Sequence, residues 1–166
     1  AGTFNLVHGF GVQVGRALAQ HPDIQMISFT GSTRAGKDVT KNAADDIKRV
    51  TLELGGKSPN IVFADSDLEE RIPASVYECF YNSGQSCDAP TRLIVERSCY
   101  GQVVELAEQA ARSQEVKDPS LEGDHIGPLF DEIQYHRVQG MIQVGIDEGA
   151  TLLVGGLGRP EGIDGG

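Results

Sequence analysis

The chain has 166 residues, of which 39% are hydrophobic and 23% are charged, a balance typical of a globular protein. Its formal net charge of -10 and its lack of a basic cluster argue against nucleic acid and anionic membranes as partners. No apolar run approaches the roughly 18 residues of a membrane-spanning helix, and the spacing of the four histidines and three cysteines predicts no metal site.

The first third of the chain alternates strand-like and helix-like segments. Strands are predicted at 4–8, 25–30 and 48–54, and helices within 9–20 and over 32–44, the second with Ser32 or Thr33 as N-cap. Strand, helix, strand, helix, strand is the order that parallel sheets with right-handed crossovers produce.

The same alternation continues beyond residue 54. Further strands are predicted at 59–64, 92–96 and 150–156. Ser66 and Glu69 form a capping-box pattern for a helix that ends near Asn82. Two more helices are expected over 100–114, with Ser98 as a possible cap, and over 131–149, separated by a loop at 118–128. The fold class is therefore α/β.

Two glycine-containing turns precede helices in the first third. GFGVQVG carries Gly11 and Gly15, and FTGSTRAG carries Gly31 and Ser32. Such turns let backbone amides approach a phosphate at the positive end of a helix. An ordinary tight turn and an ordinary N-cap would explain each motif taken alone.

Glu53 stands in an otherwise apolar strand, immediately before two glycines. The carboxyl ends of parallel strands are where open α/β sheets bind ligands, and partial burial there would make the carboxylate a usable base near neutrality. The alternative is a strand-edge glutamate paired with Lys57 or Arg49.

Of the three cysteines, Cys87 has the sequence context of a reactive thiol. It lies in NSGQSCDAPTR, among small and polar residues typical of a turn, whereas Cys79 falls within a helix and Cys99 precedes one. Burial in the core is the usual alternative for any cysteine. An odd count without regular spacing predicts free thiols in a reducing, cytoplasmic environment.

Together these segments resemble the aldehyde dehydrogenase superfamily. The motifs GFGVQVG, FTGSTRAG, LELGGKSP with Glu53 and GQSCDAPTR with Cys87 occur in the family's order, and Cys87 follows Glu53 by 34 positions (87 − 53). HIGPL at 125–129 and EGATLLVGG at 148–156 are similar to later family segments. The resemblance covers essentially the whole chain.

The resemblance implies oxidation of an aldehyde to a carboxylic acid, with hydride transfer to NAD or NADP. Cys87 would attack the carbonyl to form a thiohemiacetal and then a thioester, and its backbone amide would form part of the oxyanion hole. Glu53 would activate the hydrolytic water. The residues implied at the cofactor are Gly11, Gly15, Gly31, Ser32 and Leu54.

The resemblance also implies how the chain is organised. Residues 1–54 would be the C-terminal part of a Rossmann-like dinucleotide-binding domain, and residues 55–166 the N-terminal part of the catalytic domain that bears the nucleophile, both incomplete. We therefore expect a central fragment of a longer enzyme, which by resemblance would be a homodimer or homotetramer.

Three alternative functions accompany this interpretation. The chain on its own could be a non-catalytic fragment or structural domain. The same Cys87–Glu53 pair could hydrolyse esters without a cofactor. Transfer of the acyl group to coenzyme A is the third, and Glu53 argues against it because that base serves hydrolysis.

Overall fold

The structure is a computed structural model that describes residues 2–160 and 162–163. The chain divides into two compact units, the first ending at Gly56 and the second beginning at Lys57. This division lies two residues beyond the domain boundary predicted after Leu54. The roles predicted for the two domains stay predictions.

The first unit contains two parallel strands and their crossover helix. A π-helical turn, Gly11–Gly15, runs into α1 (Arg16–Gln20), and β1 (Met26–Gly31), α2 (Thr33–Ala43) and β2 (Arg49–Leu54) follow. β1 pairs with β2 in parallel, from Met26 opposite Arg49 to Gly31 opposite Leu54. Alternate side chains of both strands are partly buried, as expected for a sheet with one covered face. The predicted parallel β–α–β arrangement is confirmed.

The helices of the first unit are joined along their exposed sides by two polar contacts. The Arg16 guanidinium donates to both carboxylate oxygens of Asp38, at 2.9 and 3.1 Å. One turn further on, the Gln20 side-chain amide donates to Asn42 Oδ1 at 2.8 Å. Because residues four apart lie on one helix face, the two contacts connect one face of α1 with one face of α2.

Two predicted strands are wrong. Residues 4–8 and 150–156 adopt no strand conformation, although both have strand-like sequences. A β-strand is completed by hydrogen bonds to a neighbour, and the part of the chain that the structure describes supplies no paired strand to either segment. Their apolar side chains remain largely solvent-exposed, Phe4 at 85% and Leu152 at 52%.

The second unit begins with another parallel β–α–β arrangement. β3 (Pro59–Val62) leads through α3 (Leu68–Phe80) and a 3₁₀ turn (Tyr81–Gly84) to β4 (Arg92–Val95), which pairs with β3 in parallel. A second 3₁₀ turn (Arg97–Cys99) precedes α4 (Tyr100–Arg112), and α5 (Glu132–Asp147) follows a long loop. This order confirms the α/β class with parallel strands.

The core of the second unit lies between its strands, α3 and α4. Its fully buried members are Ile72 of α3 and Val103 of α4, with Val62, Leu68 and Cys99 around them. Burying an aliphatic side chain of this size contributes roughly 1.5–3 kcal/mol, so α3 and α4 hold this unit together.

The predicted caps of α3 and α4 are both wrong. Asp67, not Ser66, caps α3, and its carboxylate accepts the Glu70 N–H at 3.3 Å. Ser98 does not cap α4, because it lies within the 3₁₀ turn and its hydroxyl donates to Glu96 at 2.6 Å. That hydrogen bond is the larger cause of a lowered pKa of Glu96, and a hydrogen bond from the Ala64 backbone amide is the second.

Candidate active site

Cys87 lies in an exposed turn of the second unit, between α3 and β4. The Ala89 N–H donates to the Ser86 carbonyl oxygen at 3.4 Å and closes the turn around it. Within the described part of the chain, no protein oxygen accepts the backbone N–H of Cys87. The thiol and an uncommitted backbone donor are therefore both presented by one residue.

The backbone immediately before this turn adopts an uncommon conformation. Asn82, Ser83 and Gly84 have φ angles of 52°, 58° and 72°, which puts three consecutive residues in the left-handed region. For a residue with a Cβ this conformation costs roughly 1–2 kcal/mol, although asparagine tolerates it better than most. Such strain persists only where surrounding contacts enforce it.

Gln85 supplies some of those contacts within the loop itself. Its backbone N–H and its side-chain amide both donate to the Asn82 carbonyl oxygen, at 3.1 Å each. In return the Asn82 side chain donates to the Gln85 carbonyl oxygen at 3.3 Å. The two residues thus bond each other across the left-handed segment.

A distant segment of the chain supplies the remaining contacts. Ser83 Oγ donates to the Gly127 carbonyl oxygen at 2.8 Å, and Gln85 Oε1 accepts the Phe130 N–H at 2.9 Å. The segment that carries Gly127 is itself anchored near the end of α4, where the Ile126 N–H donates to the Glu115 carbonyl oxygen at 2.8 Å. Sequence reasoning missed these contacts, because the HIGPL motif marked residues 125–129 without indicating what they touch.

The other two cysteines are poorer candidates for a reactive thiol. Cys99 is buried in the core of the second unit, and its thiol donates to the Glu96 carbonyl oxygen at 3.4 Å. Cys79 is partly buried in α3, and burial raises the pKa of its thiol. Of the three, only Cys87 is exposed, as its sequence context predicts.

Glu53 lies near the carboxyl end of β2, in the first unit. Its register partner on β1 is Thr30, one position before Gly31 opposite Leu54. Within this unit the Glu53 side chain is exposed, whereas the sequence interpretation made its use as a base near neutrality depend on partial burial. The reason is the alternation of the strand, which turns Leu52 and Leu54 inward and Glu53 outward.

Three of the predicted cofactor residues meet at the carboxyl end of this sheet. Gly31 ends β1, and the Gly55 N–H donates to its carbonyl oxygen at 3.3 Å. Ser32 caps α2, its hydroxyl accepting the Ala35 N–H at 3.2 Å. Leu54 ends β2 and packs beside Gly36, a buried glycine of α2 that sequence reasoning did not single out.

Gly11 and Gly15, the other two, do not form the expected glycine-rich turn. They begin and end the π-helical turn that leads into α1. Both line a cavity of about 570 Å³ on the side of α1 and α2, together with Arg34 and Lys37 of α2. An ideal Cβ atom at either glycine would meet no atom within 4 Å, so the cavity has open space beside both.

The described residues contain no group of three or more histidine, cysteine, aspartate and glutamate side chains that could hold a metal ion. None of the helices that the structure describes combines the length and the apolar character that crossing a membrane requires.

Comparison with known proteins decides the family. The model of the aldehyde dehydrogenase family matches residues 1–166. The chain belongs to the aldehyde dehydrogenase family. As a family member, it is 49% identical over 165 residues to the 3-succinoylsemialdehyde-pyridine dehydrogenase of a Pseudomonas species, covering 99% of this chain and 35% of that relative.

Solved aldehyde dehydrogenases share the fold of this family member. The enzyme from Bartonella henselae is 53% identical with a TM-score of 0.94, over 97% of this chain and 34% of that one. A mutant of aldehyde dehydrogenase C from Pseudomonas syringae, solved in complex with NAD+ and octanal, is 54% identical with a TM-score of 0.93, over 96% and 33%. This aldehyde dehydrogenase chain therefore spans about a third of the length of the relatives it matches.

Proposed function

We propose that the full-length protein oxidises an aldehyde to a carboxylic acid, with NAD or NADP as hydride acceptor. The observation that carries this proposal is the exposed Cys87, held after a strained and cross-bonded loop in a chain of the aldehyde dehydrogenase family. NAD+ and octanal in the Pseudomonas syringae relative support both the cofactor class and the substrate class.

Cys87 is the proposed nucleophile. Its Sγ, as the thiolate, bonds to the aldehyde carbonyl carbon and gives a thiohemiacetal whose oxygen carries the negative charge. The uncommitted N–H of Cys87 can donate to that oxygen. Loss of hydride from the same carbon leaves a thioester on Sγ.

Glu53 is the proposed general base for the second half of the reaction. Its carboxylate takes a proton from a water molecule as the water oxygen attacks the thioester carbon, and the acid leaves as the Cys87 thiolate is restored. The support is that Glu53 lies in LELGGKSP and Cys87 in GQSCDAPTR, two segments that resemble family motifs. On the family resemblance we also assign residues 1–54 to the cofactor-binding domain, which ends with Glu53 and Leu54, and residues 55–166 to the domain that bears the nucleophile.

The cavity of the first unit supports the proposal of a bound dinucleotide. Its cavity has open space beside Gly11 and Gly15, where backbone can approach a ligand closely, and Arg34 and Lys37 add positive charge for a diphosphate. Gly31, Ser32 and Leu54 are proposed to lie along the rest of the cofactor. When bound, the nicotinamide accepts the hydride that the substrate loses.

Formation of NADH or NADPH by the purified full-length protein, with octanal and a semialdehyde as probes, tests the proposal. We expect aldehyde-dependent turnover that Cys87→Ser lowers by several orders of magnitude. The matched control is Cys79→Ser, at a partly buried thiol of the same unit, which should retain activity. Undiminished turnover by the Cys87→Ser protein would rule out the assigned nucleophile.

The isolated 166-residue chain is proposed to be inactive. Glu53 and large apolar side chains such as Phe4, Phe10 and Phe130 are exposed in it, and apolar side chains exposed in this number mark surfaces that other protein covers. Aldehyde turnover by a stable 166-residue monomer would contradict this. Ester hydrolysis by the same residues needs no hydride acceptor. An esterase assay without NAD therefore distinguishes this activity from aldehyde oxidation.

A homo-oligomer, dimer or tetramer, is proposed for the full-length protein on the family resemblance. A cytoplasmic location is proposed because Cys79, Cys87 and Cys99 are all free thiols, as is usual in reducing compartments. Mass measurement in solution tests the first, and cell fractionation tests the second.

A further inference from the structure

The loop before Cys87 is bonded to residues that lie more than forty positions further along the chain. Ser83 Oγ donates to the Gly127 carbonyl oxygen, 44 residues away, and Gln85 Oε1 accepts the Phe130 N–H, 45 residues away. We call these two contacts the loop clamp. Both residues of the loop that take part precede Cys87 by four positions or fewer.

The loop clamp acts on a segment that would not hold its conformation unaided. Ser83 is left-handed, between Asn82 and Gly84 with the same sign of φ. A serine pays a steric penalty there that glycine does not. Because the clamp contacts are made by Ser83 and Gln85, they hold the backbone of residues 83–85, which leads into the Cys87 turn.

The clamp is peripheral to the hydrophobic core. Gln85 is exposed and Ser83 only partly buried, and neither belongs to the cluster around Ile72 and Val103. Hydrogen bonds at such positions contribute little to global stability. Their main effect is therefore local, on the position of the residues that follow in the chain.

We propose that Ser83 and Gln85 are positioning residues that hold Cys87 in the place from which its thiol reacts. This proposal rests on the proposed function, in which Cys87 is the nucleophile. Positioning matters because a misplacement of about 1 Å at a reacting atom can cost roughly 100-fold in rate.

Two variants of the full-length protein test the proposal. Ser83→Gly removes the hydroxyl and accommodates a positive φ without penalty, so the loop loses its clamp without gaining strain. Gln85→Met keeps the length of the side chain and removes both its donor and its acceptor. Gln102→Met, at an exposed glutamine of α4, is the matched control.

Three quantities are measured: kcat and KM for the aldehyde, the rate at which iodoacetamide alkylates Cys87, and Tm. In Ser83→Gly and Gln85→Met we expect kcat to fall by roughly 10- to 100-fold, the alkylation rate of Cys87 to change, and KM and Tm to stay near wild type. Gln102→Met should match wild type in all three. A role in folding alone would lower Tm and leave the kcat of the folded protein intact.

Wild-type kcat and wild-type alkylation of Cys87 in both variants would overturn the proposal. So would a kcat loss that Gln102→Met shares. Failure of the proposed function has a different signature, which is retained turnover in Cys87→Ser. In that case the alkylation rate of Cys87 in the two clamp variants still shows whether the clamp sets the position of the thiol, because alkylation requires no turnover.

Discussion

Gly36 of α2 lies directly against Leu54 at the end of β2. An ideal Cβ atom built on Gly36 would lie 2.8 Å from Leu54 Cδ2 and 3.4 Å from its Cδ1. The absence of a side chain at Gly36 therefore lets α2 approach the strand that carries both Glu53 and Leu54.

Gly36→Ala should destabilise the first unit. Alanine normally stabilises a helix by roughly 0.5–1 kcal/mol relative to glycine, but here the added methyl group must displace Leu54, and overpacking costs about 1–3 kcal/mol. Gly140→Ala is the matched control, because Gly140 is exposed within α5 and its Cβ would meet no atom within 4 Å. Thermal unfolding of both variants makes the comparison, and a gain in stability for Gly36→Ala equal to that for Gly140→Ala would contradict the packing described here.

The three thiols should react with iodoacetamide in a fixed order, Cys87 first, then Cys79, then Cys99. Cys87 is exposed, Cys79 is partly buried with its thiol pKa raised by burial, and Cys99 is in the core. Peptide mass spectrometry of the native full-length protein at neutral pH measures the three rates separately. Faster labelling of Cys99 than of Cys87 would contradict this predicted order.

The Arg16–Asp38 contact should make the first unit sensitive to acid. The hydrogen bond that Asp38 accepts from Arg16 is the largest cause that lowers the pKa of Asp38 below its ordinary 3.8. A carboxylate with a lowered folded-state pKa stabilises the fold fully above its unfolded value, and this contribution is lost as the pH falls through the folded-state pKa. We therefore expect Asp38→Asn to lower Tm at pH 7 and to have a diminishing effect below pH 3.8.

The control for that prediction is Asp45→Asn, at an exposed aspartate of the same unit. High salt should shrink the Asp38→Asn difference as well, because both partners are solvent-exposed. A Tm difference that is equally large at pH 7 and at pH 3 would show that the ion pair is not its cause.

Local chemistry accounts for the parts of the fold that the sequence predicted. Strand-like segments at 25–30 and 48–54 predicted β1 and β2, and Ser32 or Thr33 was the predicted cap of α2, where the Ser32 hydroxyl accepts the Ala35 N–H. The sequence predicts the cap of α3 one residue too early because Ser66 and Asp67 are both good capping residues, and the turn that ends β3 decides which of them is used. In that turn the Ser66 N–H donates to the Phe63 carbonyl oxygen at 3.1 Å.

What the sequence did not predict depends on partners far along the chain. Residues 4–8 have strand-like composition, but a strand needs a neighbour that local sequence does not name. The left-handed conformation of Ser83 has only a weak local signal, and it is held by Gly127, 44 residues away. For the candidate site, residue context predicted the exposed Cys87 but not the exposure of Glu53 in its unit, which follows from the register of β2.

The most direct test of the central claim is to trap the acyl group on Cys87. In full-length Glu53→Gln, hydrolysis of the thioester should slow by roughly 100- to 10,000-fold. Mixing with NAD or NADP and the aldehyde that wild type turns over fastest should then give a burst of about one reduced cofactor per active site. Mass spectrometry of the quenched protein should place the acyl group on the peptide containing Cys87. An acyl group on Cys79 or Cys99, or wild-type steady-state turnover by Glu53→Gln without a burst, would contradict the account.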